Sequence, residues 1–274
     1  PPARGPAAAR GVKPATTPSA APLARTAAER TPQEAAVPGA RPAVRTAGTV
    51  AVMLLVEYAP LARAWGWARL VLQGWPLRHA PGLRFAKVLG SGHEGGFGLR
   101  PSGTRQGLFA VFDDEAQARA FVETSPVVAG YRAHARECCI ALLRATSSKG
   151  SWSGAAMAPT AAPRADGPVA ALTRASIRPR RLAAFWRHSP GSEASLAASA
   201  GCRLAVGLGE APLLRQCTFS LWDSVAAMDA YARSGAHLQA IRASAAGGYF
   251  SESMFVRFSV LSLQGDWKGR HHGD

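Results

Sequence analysis

FAVFDDEAQARAFVETSPVVAGYR, residues 109–132, returns 110 residues further on as FSLWDSVAAMDAYARSGAHLQAIR, residues 219–242. Phe109 matches Phe219, Phe112 matches Trp222, Asp113 matches Asp223, Phe121 matches Tyr231 and Arg132 matches Arg242. Residue type and spacing persist over a strand and two helices, and a duplication is the simplest cause.

Working outward, the order of elements recurs as well. Gly48–Tyr58 reads as a strand, Pro60–Trp75 as an aromatic-rich helix and Leu83–Leu89 as a strand. The glycine-rich loop Gly90–Gly98 follows and is expected to be mobile, a lid. Gln106–Phe112 is a strand, Asp113 opens a helix whose first-turn acids suit the dipole, and Pro126–Ala135 continues it. Glu137–Ala145 closes the unit. The second copy runs Val169–Ile177, Arg180–Ser199, Arg203–Leu208, Leu214–Trp222, Asp223–Arg233, Ala236–Ala243 and Met254–Leu263. A β-α-β-β-α-β order, twice, predicts an α+β fold of tandem ferredoxin-like repeats. Each sheet carries helices on one face, so the two open faces can cover each other as an α+β barrel. The expected organisation is a disordered tail (1–47), a first repeat (48–146), a linker (147–167), a second repeat (168–264) and a polar tail (265–274).

Lys and Arg number 32 against 17 acids, a net charge of +15. The balance favours an acidic partner, but the charge is spread out and no nucleic-acid motif occurs. A basic docking face for an acidic electron donor is the expectation. The tail is Ala, Pro, Arg and Thr with almost no large apolar side chains, too little to offset its ordering entropy. It reads as inert or as a basic tether to anionic lipid. No apolar run reaches the length of a membrane helix, so the expected location is cytoplasmic, with peripheral contact at the inner membrane. The four cysteines (Cys138, Cys139, Cys202, Cys217) lack metal or haem-attachment spacing and read as small buried hydrophobes. There is no GxSxG, no HExxH and no paired-carboxylate signature. Gly90–Gly98 lacks the spacing of a phosphate loop.

An ordered set of short stretches carries a resemblance. It comprises FAKVLGSG and GGF (85–92, 95–97), SPVVAGY (125–131), KGSWSG (149–154), PVAALTRASI (168–177), VGLGEAP (206–212), QCTFSLWD (216–223), GAHLQAIRA (235–243) and SESMFVRFSVL (251–261). Over about residues 48–263 the chain resembles the spheroidene monooxygenase family. The resemblance implies an oxygenase that introduces a keto group into an acyclic carotenoid by successive hydroxylations. It also implies haem b, with electrons from a ferredoxin-type donor. Oxidising an unactivated C–H bond does require a cofactor or an unusually activated substrate.

Haem without a covalent motif needs an axial side chain, and seven histidines compete. His79, His93, His271 and His272 fall in loops or the polar tail, His134 ends a helix, and His188 follows Trp186. His237 lies in the first turn of a helix, with small neighbours at Ala236 and Ala240, and its counterpart in the first copy is Val127. That asymmetry, together with the resemblance to haem proteins of the dimeric α+β barrel superfamily, implies His237 as the iron ligand. The alternative is an ordinary helix residue with a local hydrogen bond. Arg174 is charged on an otherwise apolar strand and is expected to meet a haem propionate or iron-bound oxygen, or else to reach water at an edge. Arg242 shares its place with Arg132 and reads as a duplicated structural ion pair. Phe185, Trp186, Phe219 and Trp222 are expected to line an apolar tunnel or, as plain core, to fill space. Trp152 is expected to cap the pocket or to be a hydrophobic plug that anchors the linker. Two rival functions remain: a cofactor-free barrel binding a small apolar ligand, and a cofactor-independent oxygenase of the antibiotic-biosynthesis type. Duplication makes a monomer or a homo-oligomer equally compatible with a closed barrel.

Overall fold

The computed structural model describes residues 44–46 and 50–273, apart from 73, 97, 99, 161, 163–166, 212 and 234. For 44–46, 188–194, 197, 236 and 245 it describes the backbone alone. The expected disordered tail lies outside these residues, except for the short strand β1 (Val44–Thr46).

The first repeat contains β2 (Val50–Tyr58), α1 (Arg63–Leu72) after a 3-10 turn, β3 (Leu83–Gly92), β4 (Pro101–Phe112), α2 (Glu115–Thr124), α3 (Pro126–His134) and β5 (Ala135–Gly150). A short β6 (Ala155–Met157) pairs in parallel with β1. The second repeat contains β7 (Val169–Ile177), α4 (Leu182–Ala197), β8 (Cys202–Ala211), β9 (Arg215–Trp222), α5 (Val225–Ala232), α6 (Gly235–Gly247) and β10 (Phe250–Trp267). A last strand, β11 (Arg270–His271), folds back on β10. Neighbours run β10-β5-β2-β4-β3-β8-β9-β7, and β7 returns to β10. Eight antiparallel strands thus close into a barrel, which removes every exposed edge among them. The fold is the tandem ferredoxin-like α+β barrel.

The duplication extends to turn chemistry. Asp114 caps α2 by accepting from the Gln117 amide (2.8 Å), and Ser224 caps α5 by accepting from Ala227 (3.2 Å). Arg84 pairs with Asp113 and Arg203 with Asp223. The amides of Asp113 and Asp223 donate to the carbonyls of Gly82 and Gly201. Both glycines hold positive φ, +67° and +77°. The duplicated ion pair is therefore this one. Arg132 and Arg242 make no salt bridge among the described residues.

Three stretches differ from the sequence expectation. The first residues of the glycine loop remain in β3, where Gly90 and Ser91 pair with Gly209 and Leu208 and join the two repeats. Ser91 Oγ donates to the Gly207 carbonyl at 2.7 Å, so this part of the loop is a seam and not a lid. β5 runs on to Gly150, into the expected linker, because the 18-residue β10 pairs with it as far as Met254–Gly150. Trp267, in the expected polar tail, is 2% exposed and belongs to the barrel interior.

Strand alternation divides the core in two. Inside the barrel lie Phe109, Phe219, Phe258, Trp152 and Trp267, with Trp152 stacked on Phe109 at 5.5 Å. A cavity of about 10 Å³ between Phe85, Phe109, Trp152, Met157 and Met254 has room for one water at most. Outside, the helices of each repeat face their own sheet.

Candidate functional site

Register makes the two helix-facing surfaces comparable row by row. In the first repeat one row reads Val88, Leu108, Leu54, Ile140; the same row in the second reads Gly207, Thr218, Thr173, Phe255. The next row reads Ala86, Ala110, Val52, Leu142 against Ala205, Ser220, Ala171, Arg257. Val56 becomes Ala175. The first surface is filled: Val52, Leu54, Leu108 and Ala110 are wholly buried under α2 and α3. On the second, Ala171, Thr173 and Thr218 are only half-buried, and Phe255 is 41% exposed.

The covering helices differ in step. α3 buries Val128 and Tyr131 against its sheet. Their counterparts on α6 are Leu238, half-buried, and Ile241, 44% exposed. Among the described residues α6 packs closely on α4 and α5. The helix-facing rows of the second sheet carry Ala, Gly, Thr and Ser, with Phe255 at the end of one row.

His237 lies in the first turn of α6, on the helix side of this sheet. Its ring stacks on Tyr231 at 4.5 Å, and Tyr231 packs on Trp222 at 5.3 Å. No described residue hydrogen-bonds its ring nitrogens. Burial pushes the imidazole below its ordinary pKa, so it is neutral at pH 7 with a lone pair to offer. At the C-terminal end of α6, Gly247 and Gly248 meet Arg178, Pro179, Arg180 and Arg181 around an open concavity of about 620 Å³. Phe185 and Trp186 of α4 lie on the helix side too. Phe185 meets Phe250 edge-on at 5.9 Å, and the Trp186 indole donates to the Leu213 carbonyl at 3.1 Å.

Arg174 and Phe219 face the other way. Arg174 is 2% exposed inside the barrel, below the Trp152 ring. It pairs with Glu252 and, at 3.0 Å, with Glu210. Glu210 also takes Lys87 at 2.8 Å and the Trp152 indole at 2.9 Å. Burial alone would raise both carboxyls. Hydrogen bonds from Lys87, Arg174 and Trp152 outweigh it at Glu210, and those from the Gly154 and Ser153 amides and Arg174 outweigh it at Glu252, so both sit below the ordinary range. The sheet separates this cluster from His237, so Arg174 and Phe219 share no site with His237 and Trp186. The cluster ties β7, β8 and β10 to the segment carrying Trp152, which is a plug in the barrel. Sequence reading missed Glu210 and Glu252 because nothing local marks a partner 36 or 78 residues away.

The other histidines are engaged or open to solvent. His134 stacks on Trp65 at 4.3 Å and reaches the Gly130 carbonyl, His79 accepts from Arg78, and His271 meets Asp266. The His188 side chain lies outside the described residues. Among those described, no three His, Cys, Asp or Glu side chains converge as a metal site.

No protein-family model matches the chain. Over 226 residues it is 59% identical to a spheroidene monooxygenase of Rubrivivax gelatinosus, spanning 82% of this chain and 88% of the relative. The chain belongs to the spheroidene monooxygenase family. A spheroidene monooxygenase of Rhodobacter capsulatus is 37% identical over 210 residues, 75% of this chain and 87% of the relative. The chain is accordingly an enzyme, a monooxygenase. Among solved structures, an aldoxime dehydratase in complex with butyraldoxime aligns with a TM-score of 0.51 at 12% identity, over 77% of this chain and 79% of the other. That likeness concerns the fold alone.

Proposed function

We propose that this member of the spheroidene monooxygenase family oxidises an acyclic carotenoid with O2, using haem b held in the slot beneath α6. One observation carries the reading: among the described residues, the second repeat combines a sheet surface of small residues with a half-buried histidine whose ring nitrogens make no hydrogen bond. A flat macrocycle needs such a floor, and it needs one protein ligand because the porphyrin supplies the rest. Haem, when bound, supplies the activation of O2 that the side chains cannot perform.

The residues divide the remaining work. His237 holds the iron, with Tyr231 fixing the plane of its ring. Ala171, Thr173, Gly207 and Thr218 let the group lie flat against the sheet. Leu238, Ile241 and Phe255 offer the apolar surface on which a polyene lies and from which water is excluded. Trp186 steadies the β8–β9 turn at the slot's end. Arg178, Arg180 and Arg181 form the basic mouth against which an acidic, ferredoxin-type donor docks.

The deciding measurement is the absorption spectrum after reconstitution with haem, for the wild type and His237→Ala. A Soret band near ~400 nm that is lost or shifted in the variant supports the assignment. An unchanged band in the variant removes His237 as ligand. No band in either protein removes haem and leaves the cofactor-free readings.

A further inference from the structure

Among the described residues, most of the exposed large apolar side chains cluster in the first repeat. Five consecutive large apolar exposures fall on α1 and its flanking 3-10 turns: Leu61 is 100% exposed, Trp67 48%, Val71 79%, Leu72 45% and Trp75 59%. Within α1, Ala64, Trp67 with Ala68, and Val71 recur at helical spacing on one outward face, and the flanking turns expose Leu61 and Trp75.

The inner face explains why the helix stays put. Gly66 rests on Tyr58, so closely that a Cβ there would come within 2.4 Å of the ring. Gln106 donates to the Gly66 carbonyl at 2.8 Å. Trp65 packs edge-on against Tyr58 and Tyr131 at 5.7 and 5.4 Å. The helix is therefore anchored by Gly66, Trp65 and Leu70 on its inner face, while Trp67 and Val71 point outward.

The charge around the stripe has one sign. From Tyr58 to His93 there is no acid, and Arg63, Arg69 and Arg78 lie on or beside α1, whereas Arg84 and Lys87 are paired with Asp113 and Glu210. Arg78 lies over the exposed Trp75 ring at 4.1 Å. Exposed tryptophans, aliphatic side chains and flanking arginines on a short helix are the chemistry of an interfacial segment on anionic lipid. Ten residues are too few to span, and among the described residues no helix is long and apolar enough to cross a membrane. A second copy is the weaker occupant, because a two-fold contact through α1 would bring arginines against arginines.

We infer that α1 docks the protein on an anionic bilayer, lying in the interface with Leu61, Trp67, Val71 and Trp75 in the lipid. The position suits a substrate that dissolves in lipid. Leu70, on the inner side of α1, reaches to 4.0 Å from the Cβ position of Gly90, and Gly90 pairs with Gly209 of the second sheet. The docked helix thus borders the seam beyond which the slot's floor begins. That route rests on the proposed function; the docking does not.

Flotation of the full chain with phosphatidylcholine vesicles, with and without phosphatidylglycerol, tests the inference against Leu61→Ser/Val71→Ser/Trp75→Ser. All three sites are exposed, and circular dichroism confirms that the variant folds. The expected result is binding that needs phosphatidylglycerol and falls about tenfold or more in the variant. Brominated lipid should quench wild-type tryptophan emission more than that of Trp67→Phe/Trp75→Phe. Equal flotation of wild type and variant, or none of the wild type, overturns the inference. So does a concentration-dependent dimer that the triple variant abolishes, which would assign the stripe to a second copy. The haem spectrum of the triple variant, expected to match the wild type, separates failure of docking from failure of the proposed function.

Discussion

The two repeats share a backbone plan and differ in what fills it. The helix-facing side of the first sheet is a closed apolar cushion of Val52, Leu54, Val88, Leu108 and Ile140. The same rows of the second are Ala171, Thr173, Gly207, Thr218 and Phe255. Turn glycines, caps and the Arg–Asp pair are kept in both. Duplication therefore separates two demands that a single-repeat protein must meet with one sheet. One copy buries large side chains against its helices, and the other carries small and polar residues that are less buried, the surface on which the proposed cofactor would lie.

The comparison breaks most directly on stability. Leu54→Ala removes a wholly buried side chain and should cost about 2–5 kcal/mol. Thr173→Ala, at the equivalent but half-buried position, should cost less than about 1 kcal/mol. Urea unfolding of both variants measures the difference. Equal losses would mean that the second cushion is as tightly packed as the first.

Filling the slot sharpens the same contrast. Thr173→Leu restores the first repeat's residue to the second. It should leave the urea midpoint unchanged or raised while weakening haem binding about tenfold, roughly 1.4 kcal/mol. Haem titration followed at the Soret band reads the effect. Undiminished binding would place the cofactor elsewhere than on this floor.

How far the sequence revealed this follows from spacing. Phe109 and Phe219, or Asp113 and Asp223, are separated by a constant interval, so the repeat and the fold class were legible. The β3–β4 connection (His93–Arg100) is longer than the turn after Ala211, so β2 and β7 stand at a different interval from β4 and β9. A single offset therefore hides the replacement of Leu54 by Thr173, and only strand register exposes it. His237 against Val127 lies on the constant-interval side and was visible. Arg174 was legible as a buried charge, but not its partners or the side of the sheet it faces, because those depend on closure of β8 and β10 around β7. Trp152 was legible as a hydrophobic plug, but not that the space it fills is the barrel interior, because that depends on how the strands close.

His237 against Val127 yields a pH test. Burial lowers the folded-state pKa of His237 below the ordinary 6.5. As pH falls through the ordinary range, the unfolded chain takes up a proton that the folded chain does not, so stability falls with pH and is flat above the range. Haem binding should weaken over the same interval, since proton and iron compete for one nitrogen. In His237→Val, which restores the first repeat's apolar residue, this part of the stability slope should vanish. A slope unchanged between pH 5 and 7 would assign it to other groups, His272 first, whose imidazole burial also depresses.

The smallest effect belongs to what the repeats share. Arg84–Asp113 and Arg203–Asp223 are both solvent-exposed, and such pairs contribute little because water screens them and ordering two side chains costs entropy. Arg84→Ala and Arg203→Ala should therefore give melts that differ from the wild type by no more than replicate scatter, and by the same amount as each other. The pair's place explains its retention: each arginine holds the aspartate whose amide closes onto a positive-φ glycine, so it fixes the angle at which a strand hands over to its helix. Added salt should abolish whatever small loss appears. A large loss confined to Arg203→Ala would mean that the unfilled repeat leans on this pair for rigidity that the filled one obtains from packing.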